Sequence, residues 1–271
     1  MIKYDYHMHS HHSGDSETPT DEMIKRSIEL GLTQICFTEH YDPFFPYYIP
    51  EEKGMFELDL VKYFGNIDEL SHKYNSQIKV LHGIEIGMQP DILDYCTQYI
   101  KNHPFDFVIC SSHVAGKTDP YYPVYFEGRT PKEAITFYFE EILRIVSNYN
   151  EYDVYGHLDY VVRYTDLNGK DIELKDYYEI IEAILKTIIG NGKGIEINTG
   201  GLITKLNRIN PHIEIVKLYK ELGGEIITVG SDAHTPEYIA KGFDTAKILL
   251  KEAGFNHHTI FEQRKYKHID I

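Results

Sequence analysis

The chain has 271 residues, with 42 Asp+Glu against 27 Lys+Arg and a formal net charge of −15. That length suits one large α/β domain with a sizeable core, and 42% hydrophobic with 25% charged residues is ordinary globular composition, which excludes disorder and fibres. The acidic balance argues against nucleic-acid and membrane partners, and no apolar run reaches the ~18–20 residues of a membrane span, whereas a small anionic substrate stays open.

Residues 1–7 carry neither the basic nor the apolar stretch of a secretory leader. Cys36, Cys96 and Cys110 are odd in number and embedded in apolar strings. They read as reduced core thiols of a cytoplasmic protein. Oligomeric state is not legible. No repeat or linker divides the chain, so residues 1–271 are expected to form a single domain.

Short β-branched or aromatic runs at 2–7, 34–39, 78–84, 106–112, 153–157, 194–198 and 225–230 predict strands. Amphipathic stretches between them, among them 20–30, 59–74, 131–148, 175–189 and 211–222, predict helices. Thr-Pro pairs at 130–131 and 235–236 predict helix starts, and Gly31, Gly190 and Gly223 predict stops. Strand–helix alternation implies a parallel sheet. In the first strand Ile2, Tyr4, Tyr6 and Met8 are largely apolar, while Lys3, Asp5, His7 and His9 are polar. A strand buried on both faces of an open sheet would be apolar throughout. The predicted fold is therefore α/β, a closed or nearly closed seven-unit (β/α) barrel, with its active site at the C-terminal ends of the strands.

The strand ends carry the chemistry. They read His7-Met8-His9, Glu39-His40, Ile84-Glu85, Ser112-His113, Gly156-His157, Asn198-Thr199 and Asp232-Ala233-His234. A lone His at a strand end is usually a structural residue. Six strand ends of seven bearing His, Asp or Glu at one rim describe a metal site for Zn, Mn or Fe. His7 and His9, and Asp232 and His234, are spaced to project from one strand face. With Asp15 from the first loop there are six His and three carboxylates, too many for one ion at about four ligands each. Two or three divalent ions are expected, with Glu85 the natural bridge.

These motifs, in this order, resemble those of the PHP (polymerase and histidinol phosphatase) superfamily. The stretches 156–163 and 196–199 resemble its histidinol-phosphate phosphatase branch. The resemblance implies a distorted (β/α)7 barrel of the TIM type with a trinuclear centre. One ion would take His7, His9, Glu85 and Asp232; a second Glu85, His113 and His157; a third Asp15, His40 and His234. Many relatives have His where this chain has Asp15, and His11 and His12 are the alternatives for that ligand. The activity implied is metal-dependent hydrolysis of a small phosphate monoester, L-histidinol phosphate, in histidine biosynthesis. Hydroxide held between ions would attack phosphorus. Asp232 or His234 would protonate the leaving alkoxide. Arg163, six residues past His157, is the candidate cation for the phosphate, with Lys205 and Arg208 behind it. Ile203 and Thr204 stand where an Arg is expected, which keeps open another phosphate ester or a phosphotyrosyl protein. An exonuclease fits the charge less well.

Two aromatic loops, 42–48 and 120–123, read either as walls over an imidazole-like substrate or as packed loop aromatics. His257, His258 and His268 are expected on exposed surface in the tail.

Overall fold

The computed structural model describes residues 2–165 and 173–271. Seven strands form one parallel sheet in sequential order: β1 (Tyr4–Asp5), β2 (Gln34–Tyr41), β3 (Lys79–Gly87), β4 (Phe107–Ser111), β5 (Val154–Tyr155), β6 (Gly194–Asn198) and β7 (Ile227–Gly230). The ring closes just beyond β1, where the Tyr6 N–H donates to Val229 O (3.1 Å) and the Asp232 N–H to His7 O (2.7 Å).

Helices α1 (Thr20–Glu29), α2 (Leu60–Tyr74), α3 (Leu93–Lys101), α4 (Pro131–Asn148), α5 (Tyr178–Gly190), α6 (Ile213–Glu221) and α7 (Phe243–Glu252) follow the strands in turn. None is long and apolar enough to cross a membrane, among the described residues. Thr130 caps α4 in a capping box with Glu133, as the Thr-Pro pair predicts. The second pair behaves differently: Pro236–Tyr238 is one 3-10 turn, and α7 begins only at Phe243.

Ile35, Phe37, Ile84, Val108, Ile195, Ile197, Ile227 and Val229 pack outward into the main core beneath the helices. The inward positions behave in two ways. At the floor, Tyr6, Cys36, Leu81, Phe107, Ile109, Val154 and Ile226 form a second apolar cluster. Above it the same strand faces turn polar.

The alternation expected for the first strand fails in one place. Asp5 pairs in register with outward-facing Ile35, while Tyr6 enters the floor cluster and His7 the polar layer above. Both Tyr6 and His7 therefore face inward. The phase slips by one residue where the chain leaves β1 to bond β7. Displaced Asp5 accepts from the Ser231 N–H (2.9 Å) and hydroxyl (2.6 Å), bracing the loop after β7.

The tail is not exposed coil. β8 (His257–Glu262) and β9 (Lys265–Asp270) form an antiparallel hairpin. Phe261 plugs the barrel floor, and its carbonyl accepts from the Tyr6 hydroxyl at 2.6 Å. The turn is anchored by Arg264 Nε on Asp153 (2.5 Å) and by the Gln263 N–H on Asp106 (3.0 Å). His258 is consequently buried, with its ring 5.4 Å from that of Tyr4, contrary to the expected exposure.

Candidate metal centre

The parallel register places His40 directly beside Glu85. Around that pair converge the ends of β1, β2, β3, β4, β5 and β7. Glu85 lies at the centre. Its Oε2 is 3.0 Å from His40 Nδ1, 3.1 Å from His7 Nε2 and 3.6 Å from His9 Nε2. Its Oε1 is 2.8 Å from His157 Nε2 and 3.2 Å from His113 Nε2, and accepts the Ser111 hydroxyl at 2.6 Å. Asp232 Oδ1 stands 3.3 Å from His9 Nε2 and 3.5 Å from His7 Nε2. Asp15 Oδ2 reaches His234 Nε2 at 3.2 Å and His40 Nε2 at 3.4 Å. The structure thus brings all nine expected ligand residues into one cluster. The imidazoles of His9, His40 and His234 also converge, with both outer rings 4.2 Å from His9. Of the three candidates for that ligand the Asp15 carboxylate is the one that reaches the cluster, while His11 is exposed and His12 bonds Asn66 (3.1 Å).

Two ligand atoms on one tetrahedral zinc, each ~2.1 Å from it, stand about 3.4 Å apart. The separations above are of that size. The fit shows further in unpartnered atoms. His7 Nε2, His9 Nε2, His40 Nδ1, His234 Nε2 and Glu85 Oε2 are buried with no hydrogen-bond partner. Each such orphan costs about 1–3 kcal/mol, and a divalent cation would give every one a partner.

Electrostatics agree. Burial, then the neighbouring His40 and His234 rings, push His9 down to about 3, so the ring is neutral and one nitrogen lone pair is available to a cation. Burial opposes the charge on Glu85, but His7, His113 and His40 outweigh it and hold the carboxyl well below its usual range. Burial likewise opposes protonation of His7, yet Glu196, Glu85 and Asp232 raise it. A cation bound here would displace any proton on these ligand atoms.

Three supporting residues escaped the sequence reading. Glu196 Oε1 is 2.6 Å from His7 Nδ1, and Glu196 Oε2 accepts the His157 N–H at 3.1 Å. Asp42 Oδ1 is 2.7 Å from His113 Nδ1. The Asn198 amide donates to Asp232 Oδ2 at 3.1 Å. Such outer partners fix ring orientation and tautomer. The available signals were spacing alone: Asp42 is two residues past His40, and Glu196 two before Asn198, on the same strand faces. Gly230 makes room for Glu196, since a Cβ there would lie 2.2 Å from the His7 Cβ and 2.6 Å from Glu196 Oε1. Asp232 itself has φ +56°, an uncommon backbone for a non-glycine residue that here aims its carboxylate into the cluster.

Above the cluster opens a cavity of about 200 Å3, lined on one side by His40, Glu85, His113, His157, Asp232 and His234. Opposite stand Phe45, Phe56, Asp119, Tyr160, Arg163 and Tyr164. The Arg163 guanidinium lies 5.2 Å over the Tyr160 ring and 5.7 Å over Tyr164. Burial pushes the Asp119 carboxyl up to about 6. The aromatic loops divide between the two readings. Phe45 lines the cavity, Phe44 is exposed, and Tyr48 stacks on Tyr122 at 3.8 Å, joining the two loops beside it.

The other two expected phosphate cations lie elsewhere. Arg208 pairs with buried Asp159 (2.9 Å), which also accepts from Asn210, and Lys205 is exposed; neither lines the cavity. Arg208 thus holds the loop after β6 in place. Ile203, 39% exposed, and Thr204 also lie outside the lining.

A family profile described as the PHP domain matches residues 5–200. The chain is 35% identical over 267 residues to the histidinol-phosphatase of Lactococcus lactis, covering 98% of this chain and 96% of that protein. It is 32% identical over 265 residues to a probable histidinol-phosphatase of Clostridium acetobutylicum, covering 98% and 99%. The crystal structure of the Lactococcus lactis histidinol phosphate phosphatase, complexed with Zn, L-histidinol and phosphate, superposes with a TM-score of 0.88 over 98% of both chains. A putative histidinol phosphatase from Listeria monocytogenes shares the fold, with a TM-score of 0.79 at 20% identity over 90% of this chain and 99% of that one.

Proposed function

We infer the function from one premise: the chain belongs to the PHP domain family, and a full-length relative at 35% identity is a histidinol-phosphatase whose structure holds Zn, L-histidinol and phosphate. On that footing this protein is a metal-dependent phosphatase that hydrolyses L-histidinol phosphate to L-histidinol and phosphate. The observation within this chain that carries the reading is Glu85, set among five imidazoles in a layer of unpartnered buried ligand atoms.

His7, His9, Glu85 and Asp232 would hold one ion, Glu85, His113 and His157 a second, and Asp15, His40 and His234 a third. Bound there, divalent ions activate water and neutralise phosphate charge. The protein's own residues do the rest. Arg163, held beside the Tyr160 and Tyr164 rings, offers a planar donor fork to the phosphate oxygens. Asp119 faces the cavity as a carboxylate for the cationic end of the substrate. Phe45, Phe56 and Tyr160 wall in its imidazole and exclude water. Water oxygen bonds to phosphorus as the P–O bond to the alkoxide breaks, and the proton that water loses passes to the alkoxide on the side where Asp232 and His234 stand.

Residues 1–271 act as one domain on this reading. Asp232 and His234 fall beyond the stretch matched by the family profile, yet line the same cavity. The net charge of −15 favours a small substrate over nucleic acid or a membrane surface. Three buried free cysteines favour the cytoplasm.

The test is phosphate release from L-histidinol phosphate beside a generic aryl phosphate, before and after chelation and reloading with Zn or Mn. Metal-dependent, selective turnover of histidinol phosphate is expected. Turnover of the aryl ester alone would move the substrate elsewhere. No metal-dependent turnover of either would overturn the reading.

A further inference from the structure

The nine residues of the cluster are not enclosed alike. The His7, His9 and Glu85 side chains are 0% exposed, whereas Asp15 is 33% and His234 28% exposed. They are not braced alike either. His7 is held by Glu196, His9 by Ser13, His113 by Asp42, Glu85 by Ser111 and Asp232 by Asn198, and in the third set His234 Nδ1 meets the Asp232 carbonyl at 3.0 Å; His40 Nδ1 and His157 Nδ1 have no such partner. The Asp15 carboxylate meets only the two imidazoles of His40 and His234, among the described residues. It also sits on a loop rather than a strand. That loop is tied on one side through the Ser16 (2.8 Å) and Thr18 (3.0 Å) hydroxyls to the His234 carbonyl and on the other through Ser13 to Glu39 (2.5 Å), with no bond to the Asp15 side chain from either anchor.

Exchange of a bound ion needs water to reach it and a ligand to swing away. A buried, braced ligand resists both. Loss of such outer partners typically weakens metal affinity about 10–100-fold. Glu85, moreover, faces the first two ligand sets with one oxygen each and is a ligand expected in both, whereas in the third set it only approaches His40 Nδ1 (3.0 Å), so neither of the first two ions leaves without disturbing the other.

We propose, resting on the metal-centre reading above, that the centre is graded. The Asp15–His40–His234 set holds an exchangeable ion, and the other two sets hold ions that stay. Occupancy of the exchangeable site follows the free divalent metal concentration, and activity follows occupancy. Metal supply thus regulates the enzyme through one exposed carboxylate.

The experiment equilibrates the holoenzyme against buffers of decreasing free Zn or Mn and measures metal per chain by elemental analysis, with phosphate release in parallel. Two separated steps are expected. The first loses one ion per chain at a free-metal level at least about tenfold above the second. Asp15→Ala should show the second step only, at its wild-type position. Release of all ions in a single step overturns the gradation. So does Asp15→Ala if it shifts the tight step. A wild-type protein that never holds more than one ion overturns the metal-centre reading itself.

Discussion

The imidazole Nδ1 of His7 lies 2.6 Å from Glu196 Oε1, both side chains fully buried, across 189 residues of sequence. The contact leaves His7 Nε2 facing Glu85 and Asp232. The same carboxylate accepts the His157 N–H with its other oxygen, so one residue of β6 fixes ligands from two other strands. Replacing Glu196 by Ala should weaken metal affinity about 10–100-fold and lower activity in step. Metal per chain after dialysis, with activity restored at high metal, checks this. Wild-type retention would remove Glu196 from the role.

Arg163 has packed aromatic neighbours and no ion pair with a described residue. Arg163→Ala should raise KM by tenfold or more, as loss of a charged hydrogen bond of about 1.5–3 kcal/mol requires. Metal content should stay at the wild-type level. An unchanged kcat/KM would show that phosphate is held elsewhere.

Asp119 distinguishes substrates. Asp119→Asn removes a negative charge from the cavity wall without changing its shape. KM for L-histidinol phosphate should rise while that for an aryl phosphate with no cationic group stays put. Equal effects on both esters would mean that Asp119 only positions the loop, whose Tyr48 hydroxyl accepts its backbone N–H at 3.0 Å.

Acid should strip the centre. Burial disfavours a charged His113, but Asp42 and Glu85 outweigh it and push the metal-free ring up to about 10. An ion must displace that proton, and below that pH the proton competes better with each unit of acid. Metal affinity should therefore fall steadily from about pH 8 to about pH 6. Calorimetric titration of metal into chelated protein across that range measures it. Asp42→Asn should flatten the slope.

The floor plug should matter for stability and not for chemistry. Phe261 is buried among Tyr6, Phe107 and their neighbours, with its ring 5.0 Å from that of Phe107. Phe261→Ala should destabilise by about 3–5 kcal/mol. Denaturant unfolding would show the loss, while kcat at low temperature stays close to wild type. A stability change under about 1 kcal/mol would mean that the hairpin is dispensable.

How much of this was legible depends on the range of each signal. Strand–helix alternation and the strand-end residues are local, read within a few positions, and they determined the barrel and which side chains meet at its rim. A parallel barrel brings its strand ends to one rim whatever the loops do, so His7, His40, Glu85, His113, His157 and Asp232 could be gathered from spacing alone. What lay outside the sequence's reach is contact between distant segments. Nothing near Glu196 says that it braces His7, because their meeting depends on closure of the ring and on the missing side chain at Gly230. Nothing near Arg208 says that Asp159 occupies it, and nothing near Phe261 says that it plugs the floor. The phase slip between Tyr6 and His7 arises just beyond β1, where the chain begins to bond β7 on its other side, a geometry that period-two alternation within one strand cannot register. The sequence by itself determined the fold and the donor set, because both follow from local periodicity. The tertiary structure decided which of those donors are enclosed, which are braced and which cation faces the cavity, because those are properties of packing between segments far apart in the chain.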